Sequence, residues 1–263
     1  MLRQDGGAFG LRIRPNVRCN CPAQAGQDGR QDNQLARGRE SMAIEVETKD
    51  CTMLGDAEIE EMADLSAAGP NSFGIGLISK QTEEWVLVTT AREGGHLKGF
   101  AFCTLERIGG TPSVIIGLAS IRRTSKRDTV LRAVMAEQLR RAALAFPDED
   151  VVVGARFNDP SGFEAYRTLV DVVPRPGHKA AGEERAWGRR FVKRFGMSSL
   201  SYNERTFLAP GCDGQPCVFD HASLTPEKID PDVADYFGGL DHKRGDVLVA
   251  CGWAMAESLE KLL

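Results

Sequence analysis

The chain has 263 residues, of which 42% are apolar and 27% charged, and its formal net charge at pH 7 is −4. This length is enough for one large domain or two small ones with a sizeable hydrophobic core. The slightly negative charge gives no global reason to expect binding to nucleic acid or to an anionic membrane, and no apolar run approaches the roughly 18 residues of a membrane-spanning helix. The seven cysteines lack the regular spacing of a disulfide framework, which favours reduced thiols and a cytoplasmic protein.

Residues 1–41 differ in composition from the remainder. They contain seven Arg and no Lys, with many Gly and Gln and little periodicity. Such a segment has too little apolar surface to offset the entropy of ordering, and it lacks the continuous apolar stretch of a secretory signal. We predict a disordered leader rather than a targeting or binding arm. A start codon chosen too far upstream of Met42 would produce the same pattern.

The first half of the remaining chain alternates between strand and helix patterns. The run "AIEVET" after Met42 predicts a strand, and "LGDAEIEEMADLSAAG" predicts a helix that ends at Gly69 and Pro70. The short "GIG" stretch at 74–76 is interpreted as a turn. Three strands separated by Gly-rich turns are then predicted as an antiparallel meander, at 84–91, 97–108 and 112–121.

A long helix and a buried strand follow the meander. Apolar residues recur at helical spacing from 128 to 146, and Pro147 comes just past the end of this helix. The next run, "DVVVGARF", is so uniformly apolar that we predict a central strand covered on both faces. After it come a short amphipathic helix that carries Tyr166 and a strand, "VDVVPRP".

This order of elements resembles that of the GNAT acyltransferase superfamily over roughly residues 43–208. The resemblance implies a mixed α/β (α+β) fold in which helices flank a central mixed sheet. It also implies acetyl-CoA, or another acyl-CoA, as the cosubstrate, with no metal. We predict that residues 42–210 form this domain and that residues 211–263 form a C-terminal helical extension packed on it.

The stretch "ASIRRTSKRDTVLRAVMAEQL" carries part of the resemblance. In the family, an L-x-V-x-P strand runs into a loop of the form Q/R-x-x-G-x-G/A, whose backbone N–H groups hold the pyrophosphate of the coenzyme. Laid on this motif, Lys126 takes the Q/R place, while Thr129 and Leu131 replace the two glycines. Four cations in the loop would attract phosphate instead, and Asp128 would compete for the N–H groups by capping the helix. The residues that the resemblance implies for cofactor binding are Ile121, Arg122, Arg123, Lys126, Arg127, Asp128, Thr129, Val130, Leu131, Asn158 and Phe163.

The stretch "NDPSGFEAYRTL" carries the other part. In the family, the strand after the cofactor helix ends near an Asn, and the next helix bears a Tyr that donates a proton to the departing thiolate of coenzyme A. Asn158 and Tyr166 occupy the matching positions. A phenol with a pKa near 10 is protonated at neutral pH and can serve as that general acid. The alternative is that Tyr166 only packs its helix onto the sheet with Phe163 and Leu169.

Several other features carry weaker signals. No general base is assigned, although Glu83, Glu84 and Glu106 flank the strands of the meander. The segment "GEERAWGRRFVKRFG" predicts a helix that docks by Trp187, Phe191 and Phe195 and ends at Gly196; its cationic face is either solvated or contacts an acidic substrate, the coenzyme A ribose phosphate or RNA.

Residues 211–263 contain three patterns that bear on metal binding, turns and helix formation. The residues Cys212, Cys217 and His221 lack a fourth ligand and a tight knuckle, so they argue against a zinc site. The pairs Asp220-His221 and Asp241-His242 are interpreted as turns. A closing helix is predicted to bury Val247, Leu248, Cys251, Met255, Leu259 and Leu262 against the core or against a second subunit.

The resemblance therefore implies an acetyl-CoA-dependent N-acyltransferase in which an amine of a small molecule or a protein attacks the thioester directly. The cofactor would lie where the strand that ends near Ile121 separates from the strand that ends near Asn158. A non-catalytic protein of the same fold, with a degenerate cofactor loop and a ligand-binding or partner-binding role, is the alternative. The missing glycines favour the alternative, and Asn158 with Tyr166 favours the enzyme.

Overall fold

The computed structural model describes residues 43–211 and 214–263, so the predicted leader and Cys212 lie outside the described residues. The strands are β1 (Glu45–Asp50), β2 (Leu87–Glu93), β3 (His96–Ile108), β4 (Thr111–Ile121), β5 (Val151–Phe157), β6 (Val170–Val173), β7 (Leu208–Ala209), β8 (Phe219–Asp220) and β9 (Val247–Ala254). The α-helices are α1 (Asp56–Ala67), α2 (Ile75–Glu84), α3 (Arg127–Ala145), α4 (Gly182–Arg194), α5 (Pro231–Asp235) and α6 (Ala256–Leu259). Short 3-10 helices span Cys51–Met53, Pro160–Tyr166, Pro226–Lys228 and Glu260–Leu262.

All nine described strands belong to one mixed sheet. Its order is β1-β2-β3-β4-β5-β9-β6, with β7 beside β9 and β8 beside β4. Strands β2 to β4 form the predicted antiparallel meander, and β1 pairs antiparallel with β2 at its edge. Strands β4 and β5 pair in parallel, and β9 runs antiparallel to both β5 and β6. Helix α3 packs on β1 to β4, α1 on β3 and β4, and α4 on β9. The predicted mixed sheet with flanking helices is confirmed.

The core lies where the uniformly apolar strands meet the helices. Every residue of β5 is buried, as its composition predicted for a central strand. A Cβ atom added at Gly154 of β5 would overlap the ring of Phe191 on α4, so the glycine allows the helix to approach the sheet closely. Trp187 and Phe191 are buried, as the predicted docking face requires. The helix ends at Arg194, and Gly196 follows its C-cap Phe195 with a φ of 68°, so Gly196 acts as the predicted stop signal.

The predicted C-terminal helical extension is wrong. Residues 247–254 form strand β9, which lies between β5 and β6. Helical spacing of Val247, Leu248 and Cys251 suggested a closing helix, but the run "VLVACGWA" is apolar at almost every position, and all but one of its residues are buried. A short run of this kind has no periodicity that separates a buried strand from a buried helix. Only residues 256–262, in α6 and the last 3-10 turn, are helical at this end.

Two further local predictions are corrected. The "GIG" stretch is not a turn, because Gly74 is the N-cap of helix α2. This helix was not predicted from the sequence. The helix that carries Tyr166 is a 3-10 helix over Pro160–Tyr166 rather than a short amphipathic α-helix. Asp159 caps its start by accepting a hydrogen bond from the N–H of Ser161, and Pro160 occupies its first position.

Candidate functional site

The predicted opening between β4 and β5 is present in the sheet. The two strands pair only from Ser113 to Ile115 with Val152 to Gly154, and they diverge beyond that point. The remaining edge of β4 presents backbone groups that need another partner. An extended ligand with amide groups could occupy such an edge, as the sequence resemblance implied for the coenzyme.

Strand β8 occupies this edge instead. Phe219 pairs with Ala119 and Asp220 pairs with Ser120 in a parallel arrangement. The N–H of Ala119 donates to the carbonyl of Val218 at 3.1 Å. Val218 and Phe219 are buried at 0% and 1% exposure, so the closing segment, defined here as residues 217–224, is part of the core rather than a loose loop. The interpretation of Asp220-His221 as a turn is therefore wrong.

Asp220 fixes the closing segment through side chains from three other parts of the chain. Its carboxylate accepts hydrogen bonds from Ser120 Oγ at 3.0 Å, from Asn71 Nδ2 at 2.9 Å and from both terminal nitrogens of Arg123 at 3.0 and 3.3 Å. Only 2% of Asp220 is exposed. A buried carboxylate is tolerated only with such a set of donors.

The cations of the predicted pyrophosphate loop have partners in the protein. Arg122 donates to the Leu97 carbonyl, Arg123 pairs with Asp220, and Lys126 pairs with Glu93. Arg127 donates to the carbonyls of Ala222 and Ser223 in the closing segment. Each of these contacts would compete with a phosphate group.

The other residues predicted for this loop serve the fold. Ile121 is buried at the end of β4 opposite Gly99 of β3, while Val130 and Leu131 are buried on α3. The N–H groups of Thr129 and Val130 both donate to the Lys126 carbonyl within the first helical turn. Asp128 does not cap the helix as predicted; the N-cap residue is Lys126, without a side-chain bond.

Tyr166 lies in the core with its hydroxyl already paired. The hydroxyl donates to the carbonyl of Ala250 on β9 at 3.2 Å, and only 3% of the residue is exposed. Burial raises the pKa of Tyr166 well above its usual value near 10. The ring packs edge-on against Phe157. This environment is that of a packing tyrosine, and the general-acid role stays a prediction.

Asn158 and Phe163, the last two predicted cofactor contacts, are also engaged. Asn158 Nδ2 donates to Asn71 Oδ1 at 2.7 Å, next to the Asp220 carboxylate. The ring of Phe163 packs at a tilt against Phe157 and edge-on against Phe237. Glu106, considered as a general base, pairs with Arg194 of α4 at 2.8 Å.

A cluster that the sequence did not reveal lies where the closing segment meets α3 and the Tyr166 helix. It comprises Asp128, Glu164 and His221, whose candidate donor atoms all lie within 4.8 Å of one another. His221 Nε2 is 3.2 Å from Glu164 Oε2 and 3.6 Å from Asp128 Oδ1. Burial lowers the pKa of His221 below its usual value, although the hydrogen bond to Glu164 opposes this effect. The cluster could not be predicted from residue spacing, since its three residues lie in segments that are far apart in the sequence.

An apolar cavity of about 510 Å³ adjoins this cluster through Glu164. Helix α3, the Tyr166 helix and the C-terminal turns form its walls. The lining residues include Leu131, Met135, Leu139, Ala165, Leu259 and Leu262. No helix within 43–211 and 214–263 combines the length and the apolar character needed to cross a membrane.

Comparison with known proteins gives structural neighbours only. No protein-family model matches the chain, and no curated protein matches its sequence. An aminoglycoside 6'-N-acetyltransferase from Enterococcus faecium is similar at 11% identity and a TM-score of 0.34, over 43% of this chain and 61% of that chain. The aminoglycoside N-acetyltransferase AAC(6')-Iy, solved in complex with CoA, is similar at 14% identity and 0.34, over 44% and 78%. Ard1 from Thermoplasma volcanium is similar at 15% identity and 0.36, over 49% and 86%.

The first two of these neighbours are named as acetyltransferases. The chain spans less than two thirds of the length of the Enterococcus faecium enzyme. TM-scores below 0.5 leave the function to be inferred from the chain's own residues.

Proposed function

We propose that this protein is a non-catalytic ligand-binding or partner-binding protein built on an acyltransferase-type sheet. The observation that carries the proposal is the pairing of β8 with β4 in the opening between β4 and β5. The pantetheine arm of coenzyme A would need free backbone groups at this end of β4, where the N–H of Ala119 already donates to the Val218 carbonyl and the chain pairs with β8. One donor cannot serve both partners.

The free energy needed to release the closing segment from the opening between β4 and β5 supports a permanent closure. Its release would expose Val218 and Phe219, which are buried at 0% and 1%. Full burial of an apolar side chain of this size contributes about 1.5–3 kcal/mol. Release would also remove the donors that surround the buried Asp220 carboxylate.

An acyl-CoA-dependent N-acyltransferase is the second candidate, and the divergence of β4 from β5 favours it. For this activity residues 217–224 would have to leave the opening, and Arg127 would have to exchange the carbonyls of Ala222 and Ser223 for phosphate oxygens. Tyr166 would also have to give up its hydrogen bond to Ala250 to protonate a thiolate. These three requirements make the acyltransferase the less supported function.

Calorimetric titration of the full chain with acetyl-CoA distinguishes the two candidates. We expect no binding up to millimolar acetyl-CoA and no thiol release with a panel of amines. Micromolar binding that weakens in Arg127→Gln and at high salt would overturn the proposal and favour the acyltransferase. The matched control is Arg132→Gln, one turn further along α3, which should leave any such binding unchanged.

A further inference from the structure

We propose that Asp128, Glu164 and His221 form a binding site for a divalent first-row transition-metal cation. The proposal deepens the proposed function by naming a class of ligand, and it rests on that function because His221 belongs to the closing segment. The donor set would be one imidazole nitrogen and two carboxylate oxygens. Zinc, iron, cobalt and manganese accept sets of this kind.

The distances from His221 Nε2 to the two carboxylate oxygens fit a common metal ion, and all three donor atoms lie within 4.8 Å of one another. Ligand atoms about 2.0–2.2 Å from a metal lie about 2.8–3.1 Å from each other as neighbours in octahedral geometry and about 3.3–3.6 Å in tetrahedral geometry. His221 Nε2 lies 3.2 Å from Glu164 Oε2 and 3.6 Å from Asp128 Oδ1. Small side-chain movements would bring all three atoms to coordination distance.

The hydrogen bonding of the cluster is incomplete without a cation. Nε2 of His221 can donate one proton, and Glu164 Oε2 is the acceptor within bonding distance. Asp128 Oδ1 is then a buried oxygen with no hydrogen-bond partner in the described part of the chain. If Nε2 is instead unprotonated, its lone pair faces two carboxylate oxygens. A cation between the three atoms satisfies all of them.

The nearby cationic side chain of Arg127 does not neutralise the two carboxylates of the cluster. The two carboxylates share a mostly buried space, since the side chains of Glu164 and Asp128 are 11% and 23% exposed and that of His221 is 0% exposed. The nearby guanidinium of Arg127 is bonded to the carbonyls of Thr124, Ala222 and Ser223. A metal ion would compensate the negative charge that remains.

The hydrogen bonds that orient Glu164 and His221 determine the metal affinity that we expect. Ser223 Oγ donates to the other oxygen of Glu164 at 2.5 Å and so orients the carboxylate toward His221. The far ring nitrogen of His221, Nδ1, has no partner among the described residues. Because outer hydrogen bonds of this kind typically contribute 10–100-fold in metal affinity, we expect micromolar rather than nanomolar binding. Access is open through Asp128, whose side chain is 23% exposed, and through the apolar cavity.

The test is a titration of the chelator-treated full chain with Co²⁺, followed by visible absorption. We expect one Co²⁺ per chain with d–d bands from nitrogen and oxygen ligands. The substitutions Asp128→Asn, Glu164→Gln and His221→Gln should each weaken binding by more than the roughly 10–100-fold typical for loss of an outer hydrogen bond, since they remove a direct ligand. The matched control is His178→Gln, which removes an imidazole 2.8 Å from Glu184 at the surface and should leave binding unchanged.

The test remains interpretable even if one of the variants fails to fold. Asp128→Asn is nearly isosteric at a partly exposed position, so it reports on the site even if His221→Gln fails to fold, and melting curves identify any such failure. Three outcomes would each overturn the metal site: no Co²⁺ binding at millimolar concentration, binding by the three variants as tight as that of the parent, or a spectrum with only thiolate charge-transfer bands. Acetyl-CoA titration of the same samples separates the two proposals: a protein that binds Co²⁺ and acetyl-CoA refutes the proposed function and retains the metal site.

Discussion

The Asp220 carboxylate joins segments that are far apart in the sequence: β4 through Ser120, the loop before α3 through Arg123, and the connection between α1 and α2 through Asn71. Each contact is a charge-assisted hydrogen bond, which is stronger than a neutral one. One side chain therefore fixes the closing segment to the part of the sheet where the sequence predicted a cofactor. Composition and spacing gave no sign of this role, because the partners lie up to 149 positions away.

Replacement of Asp220 by Asn should destabilise the protein substantially. Asn keeps the size of the side chain but removes the charge that compensates Arg123 and presents N–H groups to donors that need acceptors. Breaking a buried ion pair typically costs 3–5 kcal/mol, and since Arg123 is partly exposed we expect about 3 kcal/mol less free energy of unfolding in urea.

The control for this substitution is Glu149→Gln. Glu149 pairs with Arg107 at 2.6 Å, but the two side chains are 40% and 46% exposed. An exposed pair contributes about 0–1 kcal/mol, so this variant should unfold almost like the parent. Equal losses in both variants would mean that burial of Asp220 contributes nothing special to the closing segment.

Among the secondary-structure elements, those with a clear period were predictable and those without one were not. The meander β2 to β4 followed from apolar runs separated by Gly-rich turns, and α3 followed from its helical spacing. Strand β9 was missed because an apolar run of eight residues fits a buried strand and a buried helix equally well. Its place between β5 and β6 depends on pairing partners about one hundred residues earlier, which local pattern does not encode.

Amide hydrogen exchange tests the position of β9. A strand paired on both sides opens only when the sheet unfolds, so the amides of residues 248–253 should exchange at the rate of global unfolding. Residues 256–263 end at the exposed Leu263 and should exchange at least roughly 100-fold faster. Exchange of residues 248–253 as fast as that of residues 256–263 would contradict a central position for β9.

For the molecule as a whole, the acid–base groups buried in the core set a limit at alkaline pH. Burial raises the pKa of the Cys51, Cys103 and Cys251 thiols to about 12, and it raises that of Tyr166 well above 10. Cys51 follows β1, Cys103 lies on β3, Cys251 lies on β9 and Tyr166 lies in the 3-10 helix after β5. Ionisation of any of these side chains would place a negative charge in the core. In the unfolded chain a thiol titrates near 8.5.

The free energy of unfolding should therefore fall steeply above about pH 9. A raised pKa in the folded state stabilises the protein fully below the unfolded pKa, and this contribution is lost as pH rises toward the folded pKa near 12. Each buried thiol contributes a slope of about 1.4 kcal/mol per pH unit in this window. Urea unfolding at pH 7 to 11 measures the slope, and Cys251→Ala should reduce it by about one thiol's share even though the variant is less stable at every pH. A free energy of unfolding that stays constant up to pH 11 would show that these thiols ionise within the folded protein, and so that the core around β3 and β9 admits water.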